Sequence, residues 1–236
     1  MKNILKSEYL KFIYNKWLWL AGLSTIVLVP LFIIYLHETP NKVSQDYLLT
    51  QVMESYYLGQ AGFMIICILY TGQEFTKSTL RTSLLNIPVR WKFFTCKLVI
   101  VLSMSTIIWG SIILLTFGIV KWVYESNIDE SLLRVICSIF LESLSLSAIC
   151  FGLTLLIKST VFSLGICLSF LLGLGQMLLQ FSDIIRYLPI LSTMNLFFIK
   201  INTTFLSVIN GLIIQNVWAL AFIIASLVIF SKREVR

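Results

Sequence analysis

One acidic residue, Glu142, lies deep inside an apolar run of this chain, the stretch 132–157. At helical spacing Ser138, Glu142 and Ser145 share a face, so a carboxyl and two hydroxyls could meet a polar group or line a solute path. An ionisable side chain in such a run is costly and marks a functional position by default. The competing reading is a protonated or paired carboxyl that serves helix packing alone. Around it the usual catalytic sets are missing. The only histidine, His37, sits just beyond an apolar run beside Glu38, so no Ser/His/Asp set can assemble. Cys67, Cys96, Cys137, Cys150 and Cys167 contain no CxxC spacing. They read as small core residues, with neither a disulfide framework nor a metal site. No GxxxxGK[ST] run occurs, so the chain has no phosphate-cradling loop and is not expected to hydrolyse ATP or to be an enzyme.

The second concentration of chemistry is the segment Gln73–Lys97, QEFTKSTLRTSLLNIPVRWKFFTCK, where charge, a short helix and a hard stop occur together. Ser78 or Thr79 can cap the helix, and Leu80, Leu84 and Ile87 recur near helical spacing with Arg81 on a different face. Pro88 ends it, because proline lacks an N–H and disfavours helical geometry at the preceding residue. Arg90, Lys92 and Lys97 mark the return to apolar sequence, with Trp91 as an interfacial aromatic. An amphipathic helix of this kind can press its apolar face into a groove on a soluble protein or lie flat on lipid. The residues alone leave both open.

The elements that position these groups follow from composition. The chain is 58% hydrophobic and 12% charged, with a mean hydropathy of +0.92, whereas soluble domains carry about a quarter charged residues. A single all-α integral membrane domain over residues 1–236 is expected, with six transmembrane helices at about 17–36, 56–75, 98–120, 132–157, 161–181 and 212–230. The loop between the second and third spans covers 74–97. Residues 1–16 place Leu5, Tyr9, Phe12 and Ile13 on one side of a helix flanked by lysines, which fits an interfacial helix or an ordinary basic flank. Pro30 is expected to kink the first span. In 182–210, Asp183, Arg186, Pro189, Asn195, Lys200 and Asn202 interrupt apolar pieces too short to cross, as in a re-entrant or interfacial segment. Gly165, Ser169 and Gly173, at intervals of four, form a small-residue face suited to close packing within the chain or to a dimer contact.

The net charge of +7 is tempting as a nucleic-acid signal, but its placement excludes that partner. With both termini on one side, that side receives the N-terminal lysines, the cations of 74–97, Lys158 and the tail Lys232, Arg233 and Arg236. The other side receives Lys42, Lys121, Arg186 and Lys200, with Arg134 near it, together with most of the acids. Basic residues mark the cytoplasmic side of a membrane protein, so both termini and 74–97 are expected in the cytoplasm.

The run Glu74-Phe-Thr-Lys-Ser-Thr79-Leu80-Arg81-Thr-Ser-Leu84-Leu-Asn-Ile-Pro88-Val-Arg90 resembles the first cytoplasmic loop of ABC-2-type transporter permeases. That loop has an acidic–aromatic pair, a small residue and Thr, an apolar residue and Arg or Lys, then Leu and a Pro before a basic residue. The chain departs mildly, with Ser78 where Gly is common and Trp91 after Arg90. The resemblance implies a bacterial plasma-membrane permease that pairs with a second permease, the same or related, and with two ATPase subunits, which bind ATP and Mg. The loop would then be the coupling helix, with Glu74, Lys77, Arg81 and Arg90 as polar contacts to the ATPase, Leu80 and Leu84 as the packed face, and Pro88 as its end. Small members of this layout handle amphipathic peptides, as in lantibiotic or bacteriocin immunity and peptide-toxin export. Drug or lipid permeases and an ion-driven secondary carrier are the alternatives. The carrier would need inverted repeats and several intramembrane charges, and the sequence carries no clear repeat.

Overall fold

The computed structural model describes residues 2–35, 45–75, 89–124, 130–198 and 202–232. Every regular element among the described residues is helical. It comprises α1 (Lys2–Tyr14), α2 (Lys16–Tyr35), α3 (Gln45–Gly72), a 3-10 turn at Gln73–Phe75, α4 (Arg90–Trp122), α5 (Glu130–Ile157), α6 (Thr160–Leu171) and α7 (Leu174–Leu178). Two 3-10 stretches, Asp183–Tyr187 and Leu191–Phe197, then lead into α8 (Val208–Lys232).

Five of these helices, α2, α3 with its 3-10 extension, α4, α5 and α8, are long and apolar enough to cross a membrane. The break between α1 and α2 falls at Asn15, whose side-chain oxygen accepts from Trp17 N at 3.0 Å and so caps α2. Pro30 is buried within α2, which continues as helix on both sides of it. The expected polar loop before the second span is partly helical. α3 starts at Gln45 because Leu48, Val52 and Tyr56 give its first turns a buried face. α4 likewise begins at Arg90, so the later part of the expected coupling loop, 90–97, is the first two turns of a long helix.

Lipid is as apolar as leucine, so helices in a membrane associate through close packing and interhelical hydrogen bonds. Gly62 lets α3 reach α2 so closely that an added Cβ would sit 2.2 Å from Thr25 Oγ1. Gly152 does the same for α5 against the Phe222 backbone of α8, at 2.9 Å. Between α3 and α4 the Trp109 ring is stacked between Phe63, at 4.7 Å, and Tyr56, at 4.9 Å, and the Tyr56 hydroxyl donates to Thr116 at 2.9 Å.

The expected fifth span, 161–181, is not a continuous helix. α6 has 12 residues, about 18 Å at ~1.5 Å per residue against a hydrocarbon layer of about 30 Å. It stops where Gly173 adopts φ +117°, a left-handed conformation that ends helices and that glycine takes without a Cβ clash. Leu191 then packs so tightly on Gly175 that a Cβ there would lie 2.7 Å from it. The chain therefore passes from the Thr160 end of the bundle to the start of α8 by a broken path. Irregular backbone at membrane depth must be buried in protein, and Leu191–Phe197 is buried at every residue. Gln215 of α8 accepts from Ile190 N at 3.0 Å, and Asn195 bridges Asn202 N at 3.0 Å and the carbonyls of Asn202 and Leu206 at 3.0 and 2.8 Å.

Candidate functional site: a buried ion network at the roots of the 76–88 segment

The helix order brings three separate stretches of sequence together at one end of the bundle. Glu8 and Lys11, three residues apart, occupy one face of α1. Glu74 is the middle residue of the 3-10 turn after α3, and Lys97 lies two turns into α4. Lys97 Nζ is 2.8 Å from Glu74 Oε1 and 3.5 Å from Glu8 Oε2. Lys11 Nζ is 3.0 Å from the same Glu74 oxygen and 2.5 Å from Glu8 Oε1. Two acids thus face two ammonium groups. Glu8, Glu74 and Lys97 are 1–3% exposed, while Lys11 reaches the surface at 38%.

Further contacts complete the cluster. The Tyr70 hydroxyl donates to Glu8 Oε2 at 3.2 Å. Lys97 sits 4.7 Å above the Tyr70 ring and 5.5 Å above the Phe93 ring, so aromatic faces replace part of its lost hydration. Asn15 donates to Gln73 Oε1 at 2.9 Å, a second tie between α1 and the end of α3. Buried charges are tolerated when they are paired and hydrogen-bonded, and this set is charge-balanced. For Lys11, burial alone would lower the pKa, but the pairs with Glu8 and Glu74 outweigh it and the net shift is upward.

These contacts redefine Glu74. Expected as a polar contact for a soluble partner, its carboxylate is turned inward and held by Lys11 and Lys97. Arg90 also has an internal role, donating to the α8 carbonyls of Phe230 at 3.5 Å and Ser231 at 3.2 Å. Cations at a helix C-terminus are favourable because they meet its unsatisfied carbonyls. The described ends of the chain therefore lie at the same end of the bundle as Glu74. Lys77, Leu80, Arg81, Leu84 and Pro88 fall outside the described residues.

The constellation around Glu142 is also rearranged. Its carboxyl is fully buried, and Oε2 accepts from Gln60 Nε2 of α3 at 2.6 Å. Glu142 Oε1 and Gln60 Oε1 have no partner among the described residues. The Thr193 hydroxyl, close to the carboxyl, donates instead to the Ile190 carbonyl at 3.1 Å. Ser138 is half-buried and donates to the Arg134 carbonyl, so it does not join Glu142. Ser145 donates to the Glu142 backbone oxygen at 2.7 Å and faces a groove between α4, α5 and α8. The three residues share a helix but not a site. Gly165 is open, with nothing within 4 Å of an added Cβ, and Ser169 and Gly173 line a shallow outward groove. Among the described residues that face makes no close packing contact at Gly165 or Gly173.

Sequence reasoning missed Glu8, Lys11, Tyr70, Lys97 and Gln60. Lys97 and the lysines of 1–16 counted only as topology signals, and Gln60 was a polar residue inside an apolar run that carried a usable signal.

No curated protein and no solved structure matches the chain significantly. The sequence profile described as ABC-2 family transporter protein matches residues 4–175. The match begins in α1, takes in every member of the ion network, Gln60 and Glu142, and ends within α7. With most of its length covered by that profile, this multi-pass membrane chain belongs to the ABC-2 family of transporter proteins.

Proposed function

We propose that this chain is the permease subunit of a bacterial ABC exporter and that the ion network transmits movement of the 74–97 segment into the membrane helices. The observation that carries the reading is that Glu74 and Lys97, which flank the segment, are bonded to each other and to α1. A displacement of 76–88 cannot move the end of α3 without also moving α4 and the N-terminal helix. Differential contact of the segment with two states of an ATPase is the physical requirement for such coupling.

On this reading the network faces the cytoplasm, where the segment meets the ATPase. Lys77 and Arg81 make polar contacts with it and Leu80 and Leu84 pack into it, with Pro88 ending the helix. Glu74 and Arg90 act as anchors on either side. Two copies of an ATPase bind ATP and Mg, and a second permease, the same or related, completes the transport path. The open Gly165, Ser169 and Gly173 face is available for that second permease. The substrate is amphipathic, a peptide of the bacteriocin or lantibiotic kind being favoured by the aromatic, largely apolar helices.

The test is co-expression with an ABC ATPase. The wild-type chain should retain the ATPase through detergent purification and stimulate its turnover. Arg81→Glu should lose both while the permease still purifies as a monodisperse protein. Full retention of the ATPase by Arg81→Glu would remove the coupling reading.

A further inference from the structure

On α3, Glu54 lies twenty residues before Glu74, about 30 Å at ~1.5 Å per residue, which is one hydrocarbon thickness. The two acids therefore mark opposite ends of the bundle. They differ in environment, since Glu74 is buried and ion-paired whereas Glu54 is exposed and has no partner among the described residues.

Glu54 lines a cavity of about 370 Å³ between α3, α7 and the 3-10 stretch Leu191–Phe197. The volume is within the usual range for a small-molecule site, roughly 300–1,000 Å³. Its walls are mainly apolar and aromatic, with Tyr57, Leu58, Phe197 and Phe198 lining it together with Glu54, and no lysine or arginine lines it among the described residues. Tyr57 packs edge-on against Phe197 at 5.3 Å. Its hydroxyl donates to the Leu171 carbonyl in the last turn of α6, which holds the ring in place. A carboxylate beside aromatic faces, with no cation among the described lining residues, favours a positive charge on an apolar body.

We infer that this cavity is a binding site for the ammonium group of an amphipathic organic cation. The inference deepens the transport reading above, because it assigns a place and a charge to the substrate. Glu54 receives the cation, Tyr57 and the Phe197–Phe198 pair contact its apolar part, and Leu58 stands at the opening.

The test is equilibrium binding of radiolabelled benzyldimethyldodecylammonium to the purified chain in zwitterionic-lipid nanodiscs, with empty nanodiscs subtracted. Saturable binding is expected. Glu54→Gln should weaken it about threefold to fivefold, the loss of one charge pair at a solvent-screened carboxylate, while Glu54→Asp keeps most of it. Leu58→Trp, a change at an exposed side chain that fills the opening, should block binding without altering thermal stability. Uncharged dodecyl benzyl ether should not compete. A lysine-bearing amphipathic peptide that competes only when Glu54 is present assigns the ammonium to a peptide, and failure to compete assigns it to a small amphiphile. Equal binding by wild type, Glu54→Gln and Leu58→Trp, or full competition by the uncharged ether, would overturn the inference. No ATPase is present, so failure here leaves the coupling reading standing, and loss of ATPase association leaves this site standing.

Discussion

Lys97 Nζ lies 2.8 Å from Glu74 Oε1 with both side chains almost completely buried, across the two ends of the 76–88 segment. The pair closes that segment at its base. It also receives α1, because Glu8 and Lys11 share the same ammonium and carboxylate.

The buried pair sets a stability prediction. Lys97→Met leaves Glu8 and Glu74 facing each other with only Lys11 between them, and removing one partner of a buried pair costs about 3–5 kcal/mol. Lys97→Met should therefore lower the thermal unfolding midpoint of the purified protein clearly. Adding Glu74→Gln restores charge balance, and the double variant should be more stable than Lys97→Met alone. Additive losses in a double-mutant cycle would show that the two groups are not coupled.

Lys11 gives a pH prediction with a definite sign. Its pKa is raised above the ordinary 10.5, so its contribution is complete below that value and is lost as pH rises through the higher folded-state pKa. The difference in unfolding midpoint between wild type and Lys11→Met should stay constant from neutral pH to about pH 9 and close above about pH 11. A difference that changed between pH 6 and 8 would contradict the assignment.

Gln60 and Glu142 test the mid-bundle contact between α3 and α5. Gln60→Leu removes the donor 2.6 Å from the buried carboxyl, and an unmet polar group of this kind costs about 1–3 kcal/mol. Glu142→Gln keeps hydrogen-bonding capacity and should be much milder. Transport measured in Glu142→Gln then separates the two readings of this residue. Full activity makes the carboxyl a packing element, and lost activity in a stable protein makes its ionisation part of the mechanism.

Helix approach at Gly62 gives a steric prediction. Gly62→Ala places a Cβ 2.2 Å from Thr25 Oγ1 and 2.7 Å from its Cγ2, and overpacking of this kind costs about 1–3 kcal/mol. Thr25→Ala removes both clashing atoms and leaves only its Cβ, at 3.0 Å. The double variant should recover most of the lost midpoint. Failure to recover would place the strain elsewhere than the α2–α3 contact.

The sequence alone determined the class of the molecule, because too few charges and long apolar runs permit only a helical membrane protein. It also located the charged segment after α3, since Glu74, Arg81, Pro88 and Arg90 form a local pattern that survives as a string of letters. Tertiary structure decided what several of those letters do. Glu74 and Arg90 read as surface contacts, yet the fold buries Glu74 and ties the half-exposed Arg90 to the end of α8. Lys11, a partner of Glu74, lies 63 residues away, and the carbonyls of Phe230 and Ser231 that Arg90 meets lie 140 and 141 residues away. Similarly, 161–181 has the length and hydropathy of a span. The chain breaks at Gly173 and packs Gly175 against Leu191 instead, an arrangement that depends on Gln215 and Asn195 satisfying irregular backbone from a distance. Periodicity and hydropathy report what one helix can bury, whereas charge pairing and backbone satisfaction depend on which helices become neighbours.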